Sequence, residues 1–253
     1  MNIVNFIKNR YKENKINASI LTLFFLFVLT SLIYFLIDNN FRNVFLCCIF
    51  SIIPLFCYFV EYKFKMKFPP LFLGGMIFVG IGALLGSCYN VYQYIPIWDT
   101  ILHGTTGFMI PCLGFALMNL LVKDMSGAKR FYACLIFAIG FSLSITVIWE
   151  VFEYTINTFF GFDMLTDTMV YNIKSYYISG DQNILYTIND IQKTIIYYGE
   201  NQILTINGYL DIGVIDTFHD ILIHLACTIL FSLTSIMSYK HKNKINKLLI
   251  PEI

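Results

Sequence analysis

Charge is what this sequence has least of. Only 13% of its 253 residues are charged, against 57% hydrophobic and 17% aromatic. A soluble domain carries roughly a quarter of its residues as Asp, Glu, Lys or Arg, so this balance excludes an ordinary soluble fold. The net charge of +1 gives no electrostatic basis for a nucleic-acid partner. No C-x-x-C pair occurs; all seven cysteines (Cys47, Cys48, Cys57, Cys88, Cys112, Cys134, Cys227) fall inside apolar stretches and read as small core hydrophobes. Also missing are H-E-x-x-H, a serine nucleophile elbow and a Gly-rich phosphate loop. Neither an internal repeat nor a low-complexity segment is present.

What remains is apolar sequence in long runs. About 20 apolar residues are needed to cross a ~30 Å hydrocarbon core. Six such runs occur, at roughly 18–37, 44–61, 70–89, 103–122, 131–153 and 216–238. The first is too long, and its sequel "IDNNFRN" too poor in small residues, for a cleavable signal peptide. The expected fold is an all-α membrane protein: one integral membrane domain of six transmembrane helices. A small external segment at 157–213 lies between spans 5 and 6. Its pieces "KTIIYYGENQILTI" and "TINGYLDIG" predict short strands turning at Gly199–Asn201 and Asn207–Gly208, in a loop or cap. In span 3, "GGMIFVGIGALLG" sets Gly82 and Gly86 at the spacing that permits close helix contact.

The few charges are unevenly placed. Lys8, Arg10, Lys12, Lys15, Lys63, Lys65, Lys67, Lys123, Lys129, Arg130, Lys240, Lys242, Lys244 and Lys247 fall on one side of a six-span topology. Only Arg42, Lys174 and Lys193 fall on the other. The positive-inside rule then places both termini in the cytoplasm.

In that topology the stretch "IDTFHDILIHLAC" puts Asp216, His219, Asp220 and His224 in the outer half of span 6. "WDTILHGTTG" places Asp99 and His103 at the outer start of span 4, and "VIWEVFEYTIN" places Glu150 and Glu153 at the outer end of span 5. Residues three or four apart share a helix face, so each set forms a polar stripe. Such stripes are costly in lipid and are accommodated by facing one another around a pocket open to the outside. Carboxylates mixed with imidazoles suit a divalent cation: zinc if histidine dominates, magnesium, manganese or calcium if oxygen does. Asp99, His103, Glu153, Asp216, His219 and His224 are the candidate metal ligands, with Glu150 and Asp220 as candidate catalytic bases. Plainer readings stand beside these. Asp99 and Asp216 precede apolar runs as N-caps do. Glu153, and less readily Glu150, reads as interfacial, His103 and His219 as hydrogen-bonding a neighbouring carboxylate, and His224 as a satisfied core imidazole. Asp163 and Asp167 read as solvated loop residues, and Trp98, Trp149 and Tyr154 as an aromatic belt.

The segments "WDTILHGTTGF", "SLSITVIWEVFEYTIN", "DMLTDTM" and "GYLDIGVIDTFHDILIHLACTIL" together resemble the YjdF-like bacterial multi-span membrane proteins, which are distantly similar to the VanZ-like proteins. The resemblance covers about residues 95–235 and places Asp99, His103, Gly107, Trp149, Glu150, Glu153, Asp216, Thr217 and Asp220 on motif positions. It departs at "HLAC", so His224 and Cys227 inherit nothing from it. It implies a cell-envelope setting and no particular reaction. Three functions are therefore open. One is a metal-dependent enzyme acting on an envelope lipid or lipid-linked substrate. Another is an ion or small-ligand binding or transport protein. The third is an accessory protein whose polar cluster serves packing. Transport is disfavoured because the inner halves of spans 4 to 6 lack ionisable relays.

Overall fold

The computed structural model describes residues 3–241, so Lys242, Lys244 and Lys247 lie outside the described residues. The first helix, α1 (Ile3–Glu13), is followed by α2 (Lys15–Ile37), α3 (Phe41–Phe64), α4 (Pro70–Cys88), a single turn α5 (Val91–Tyr94) and α6 (Trp98–Leu121). A long α7 (Gly127–Phe160) leads into β1 (Thr168–Val170), β2 (Ile173–Ser175), α8 (Tyr176–Ser179), β3 (Tyr186–Ile188), β4 (Thr194–Tyr198), β5 (Gln202–Ile206) and β6 (Tyr209–Asp211); α9 (Val214–His241) ends the described chain. Six of these helices (α2, α3, α4, α6, α7 and α9) are long and apolar enough to cross a membrane. They fall on the six runs read from the sequence.

All of these helices except α4 outrun their apolar runs at one end or both. Alpha7 has 34 residues, about 50 Å at 1.5 Å per residue, because hydropathy marks the lipid boundary whereas a helix continues until its backbone is capped. Caps do the stopping and starting here. Asn14 accepts from the Asn17 amide (3.3 Å) ahead of α2, and Asn40 from the Asn43 amide (3.1 Å) ahead of α3. Pro69 and Pro70 open α4, where the missing N–H costs nothing.

The described residues divide into two units, one running to Val151 and resuming at Asp220, the other Phe152–His219. In the first, α4 and α6 are the most enclosed helices, while α2 is mostly exposed apolar surface. Its core gathers Phe72 and Leu73 of α4, Cys112, Leu113 and Ala116 of α6, Cys134 and Ala138 of α7 and Phe231 of α9. Five of the cysteines are buried as expected, but Cys48 is exposed and Cys227 only half-buried. Gly82 does what its spacing predicts: a Cβ there would overlap the Leu102 side chain of α6, and its carbonyl accepts from Trp98 Nε1 at 2.9 Å.

One end of this unit carries a latch. Glu61, wholly buried, accepts from Arg10 Nε at 2.9 Å, from Arg10 Nη2 at 2.5 Å and from the Phe68 amide at 2.7 Å. Arg10 also binds Glu13 at 2.9 Å, and Lys67 reaches Glu13 at 3.0 Å. Hydrogen bonds from Lys67 and then Arg10 hold the Glu13 carboxyl below its ordinary 4.5. The sequence reading counted Arg10 only as a topological charge and passed over Glu61.

The second unit contains three two-stranded antiparallel ladders, β1–β6, β2–β3 and β4–β5. Gly199, Glu200 and Asn201 close the β4–β5 hairpin as expected, with Tyr198 opposite Gln202. The Asn207–Gly208 turn does not close a hairpin: it hands the chain from β5 to β6, which pairs with β1. Gly208 makes that possible with φ +97, and a Cβ there would crowd Met169 Cγ at 3.0 Å.

Candidate functional site

Alpha6 and α9 cross in backbone contact. A Cβ at Gly107 would lie 2.8 Å from His224 Cα and overlap the His224 carbonyl oxygen. Only glycine permits that approach, and it determines what meets one turn earlier on each helix. His103, four residues before Gly107, faces Asp220, four before His224: His103 Nε2 stands 3.8 Å from Asp220 Oδ2. The same nitrogen lies 3.7 Å from Asp99 Oδ1 on its own helix, and His103 Nδ1 lies 3.8 Å from Glu150 Oε1 of α7. Three helices thus converge on one imidazole.

The cluster is buried, with Glu150 4% and Asp220 2% exposed, while the Asp99 side chain keeps 27% of its surface. One ligand atom from each of Asp99, His103 and Asp220 lies within 4.8 Å of the others. Neighbouring ligands of a tetrahedral or octahedral metal stand about 3.0–3.5 Å apart at the usual bond lengths. After a small contraction these three could hold a divalent cation, and the donor chemistry, two carboxylates and an imidazole, fits one.

The N-cap reading of Asp99 is corrected here. Ile97 occupies that position without a side-chain cap, and Asp99 lies inside the first turn, 3.7 Å from His103 Nε2. For Asp216 the outcome is similar. Gly213 precedes α9, the Ile215 amide is taken by Asp211 Oδ2 at 2.8 Å, and Asp216 Oδ2 accepts from the Thr166 amide at 2.7 Å. Asp216, His219 and Glu153 all belong to the second unit, where His219 is exposed and Glu153 half-buried.

His224 lies one turn below the cluster and is engaged otherwise. Its Nε2 is 2.8 Å from Ser142 Oγ, Ser142 Oγ is 3.0 Å from Thr228 Oγ1, and Thr228 Oγ1 donates to the Gly107 carbonyl at 2.9 Å. The last bond has a cause in α6. Residue 111, whose amide should serve Gly107 O four positions back, is proline. Thr228 supplies the donor that Pro111 cannot. Each hydroxyl has one proton to give, so the direction of the whole chain is fixed: Thr228 to Gly107, Ser142 to Thr228, and His224 Nε2–H to Ser142. The core-imidazole reading of His224 is the one this geometry favours. The sequence reading missed Ser142 and Thr228; the visible signal was Pro111, which announces an unserved carbonyl at Gly107.

Fold and site together define a multi-pass membrane protein of six apolar helices with a buried acid–histidine cluster in the bundle. The chain belongs to the family described as Predicted membrane protein (DUF2238), whose model matches residues 20–243; this is the family that the YjdF-like resemblance indicates. No curated protein and no solved structure matches it.

Proposed function

We propose that this chain is a multi-pass protein of the bacterial cytoplasmic membrane, with both termini cytoplasmic. Its Asp99–His103–Glu150–Asp220 cluster faces the external side, holds a divalent cation and hydrolyses an envelope lipid or lipid-linked substrate. The observation that carries this reading is the double engagement of His103. Nδ1 lies toward Glu150, while Nε2 lies toward Asp99 and Asp220. A histidine whose far nitrogen is held by a carboxylate, with the near one among other ligands, is the usual arrangement of a metal-binding imidazole. Asp99, His103 Nε2 and Asp220 would hold the cation, and the surplus of oxygen over nitrogen favours manganese or magnesium over zinc. A bound divalent cation supplies Lewis-acid activation of water and substrate oxygen. Glu150 orients His103 and is placed to accept a proton, and Asp99, the most exposed member, marks the side from which substrate enters. The hydroxyls beneath the cluster favour an enzyme over a conductor, because their donor chain ends on the Gly107 carbonyl.

The test is metal content by mass spectrometry on detergent-purified protein after incubation with manganese, magnesium, zinc or calcium. A panel of polyprenyl and glycerol phospholipids is assayed for hydrolysis in parallel. Near-stoichiometric metal in wild type, abolished by Asp220→Asn and His103→Ala in protein that still elutes as one species, is the expected result. Glu150→Gln should keep most of the metal and lose turnover. A wild type that takes up none of the four metals would end the metal reading. Metal uptake with no hydrolysis of any lipid would end the enzymatic one.

A further inference from the structure

The cluster sits at the N-terminal end of α6, and the C-terminal end of the same helix carries a second, unrelated feature. His103 and Asn119 are 16 positions apart, about 24 Å along the axis. Around Asn119 lies a cavity of about 330 Å³, lined by Phe115, Asn119, Gly127, Arg130, Phe131 and Cys134. Its one full charge is Arg130. That guanidinium is not loose: Nε donates to Asn119 Oδ1 at 2.6 Å and Nη2 to the Asn119 carbonyl at 3.0 Å. A guanidinium has five N–H donors, so these two bonds fix its plane and leave three to spare. The remaining walls are Phe115, Phe131 and Cys134, all buried. Phe131 is itself braced by Tyr239, stacked at 4.2 Å and 12°. Gly127, the first residue of α7, completes the lining. Exposed Lys123 and Lys129 flank the cavity in sequence, offset in part by exposed Asp124.

A pre-set arginine fork suits the paired oxygens of a phosphate, and aromatic walls suit a chain attached to that phosphate. Basic pockets between membrane helices at the polar boundary recognise lipid headgroups by this combination. We propose that this cavity is a binding site for a phosphate group carried by an anionic phospholipid, with Arg130 as the anchor and Asn119 as the residue that positions it. The site is independent of the acid–histidine cluster at the other end of α6. Its ligand is a lipid bound at a fixed place, not lipid drawn diffusely to basic residues.

Full-length protein in nanodiscs of mixed phosphatidylglycerol and phosphatidylcholine, released into native mass spectrometry, reads the retained lipid directly. Wild type should keep phosphatidylglycerol in preference to phosphatidylcholine. Arg130→Gln should weaken that retention about tenfold or more, the loss of one or two charge-assisted bonds. Asn119→Ala, which removes the Nε bond but keeps the backbone bond and the charge, should fall between. Lys63→Gln removes an equal charge from an exposed site on another helix and should change retention less than twofold. Equal losses in Arg130→Gln and Lys63→Gln, or equal retention of the two lipids, would overturn the proposal. So would displacement by inorganic phosphate at concentrations matching the lipid, which would make the ligand a soluble anion. If Arg130→Gln does not fold, hydrogen exchange on wild type decides. Protection of residues 115–134 in phosphatidylglycerol over phosphatidylcholine upholds the site, and its absence removes it.

Discussion

Pro111 takes one N–H out of α6, and the effect reaches two other helices. Thr228 of α9 serves the Gly107 carbonyl that Pro111 leaves unserved, and through Thr228 the chain extends to Ser142 and His224. Thr228→Val should therefore cost about 1–3 kcal/mol in thermal unfolding, the penalty of stranding a buried acceptor. Restoring the amide with Pro111→Ala in the same protein should recover much of that loss. Strict additivity of the two substitutions would contradict this account. Of the buried cluster, Asp99, His103, Glu150 and Asp220 were legible because three- and four-residue spacings fix which side chains share a face. Ser142 and Thr228 were not, since a hydroxyl in an apolar run looks the same whether it serves its own helix or a neighbour. His224 stood among the candidate ligands because periodicity gives a face and no partner; its partner is 82 positions away.

At the scale of helices, glycine decides how closely the bundle closes. Gly107→Ala touches no ligand, yet it must push α6 from α9, so it should reduce metal uptake several-fold while leaving all four cluster residues intact. Gly140→Ala is the control. Nothing lies within 4 Å of a Cβ there, and the change should raise stability by about 0.5–1 kcal/mol through helix propensity alone. Equal behaviour of the two variants would remove the close-crossing argument. The Arg10–Glu61 latch offers a second test. Arg10→Ala leaves a buried carboxylate unanswered and should cost about 3–5 kcal/mol, much of it recovered by adding Glu61→Gln. Acid should loosen the neighbouring Glu13–Lys67 and Glu13–Arg10 contacts. Because the Glu13 carboxyl is held below 4.5, its contribution is present above that pH and lost as pH falls through the lower folded value. The effect is small for so exposed a pair. The latch was hidden in the sequence for a simple reason. Arg10 and Glu61 lie 51 positions apart, and an acid at the end of an apolar run reads as a boundary.

For the molecule as a whole, the six spans were plain because lipid demands length and apolarity, and both are written locally. Helix ends were less so: α6 begins at Trp98 where hydropathy begins at 103, and that one-turn difference turns Asp99 from a cap into a cluster member. The strand pairing of the second unit was legible only at its one true hairpin, because β1 and β6 lie some forty residues apart in the chain. The proposed orientation has its own check. An impermeant amine reagent applied to intact cells should label the exposed Lys174 and Lys193 and spare Lys8, Lys12 and Lys15; the opposite pattern would invert the topology.

The crossing at Gly107 also bears on how the protein is made. Asp220 is translated long after His103 and Glu150, so the cluster stays open until the last span has left the ribosome and entered the bilayer. Until then the translocon holds a five-span intermediate whose imidazole and carboxylate lack their final neighbour. A nascent chain arrested before position 220 should therefore turn over faster in a pulse–chase than the full-length chain. Arrival of α9 brings Asp220 to His103 and completes the bundle in one event.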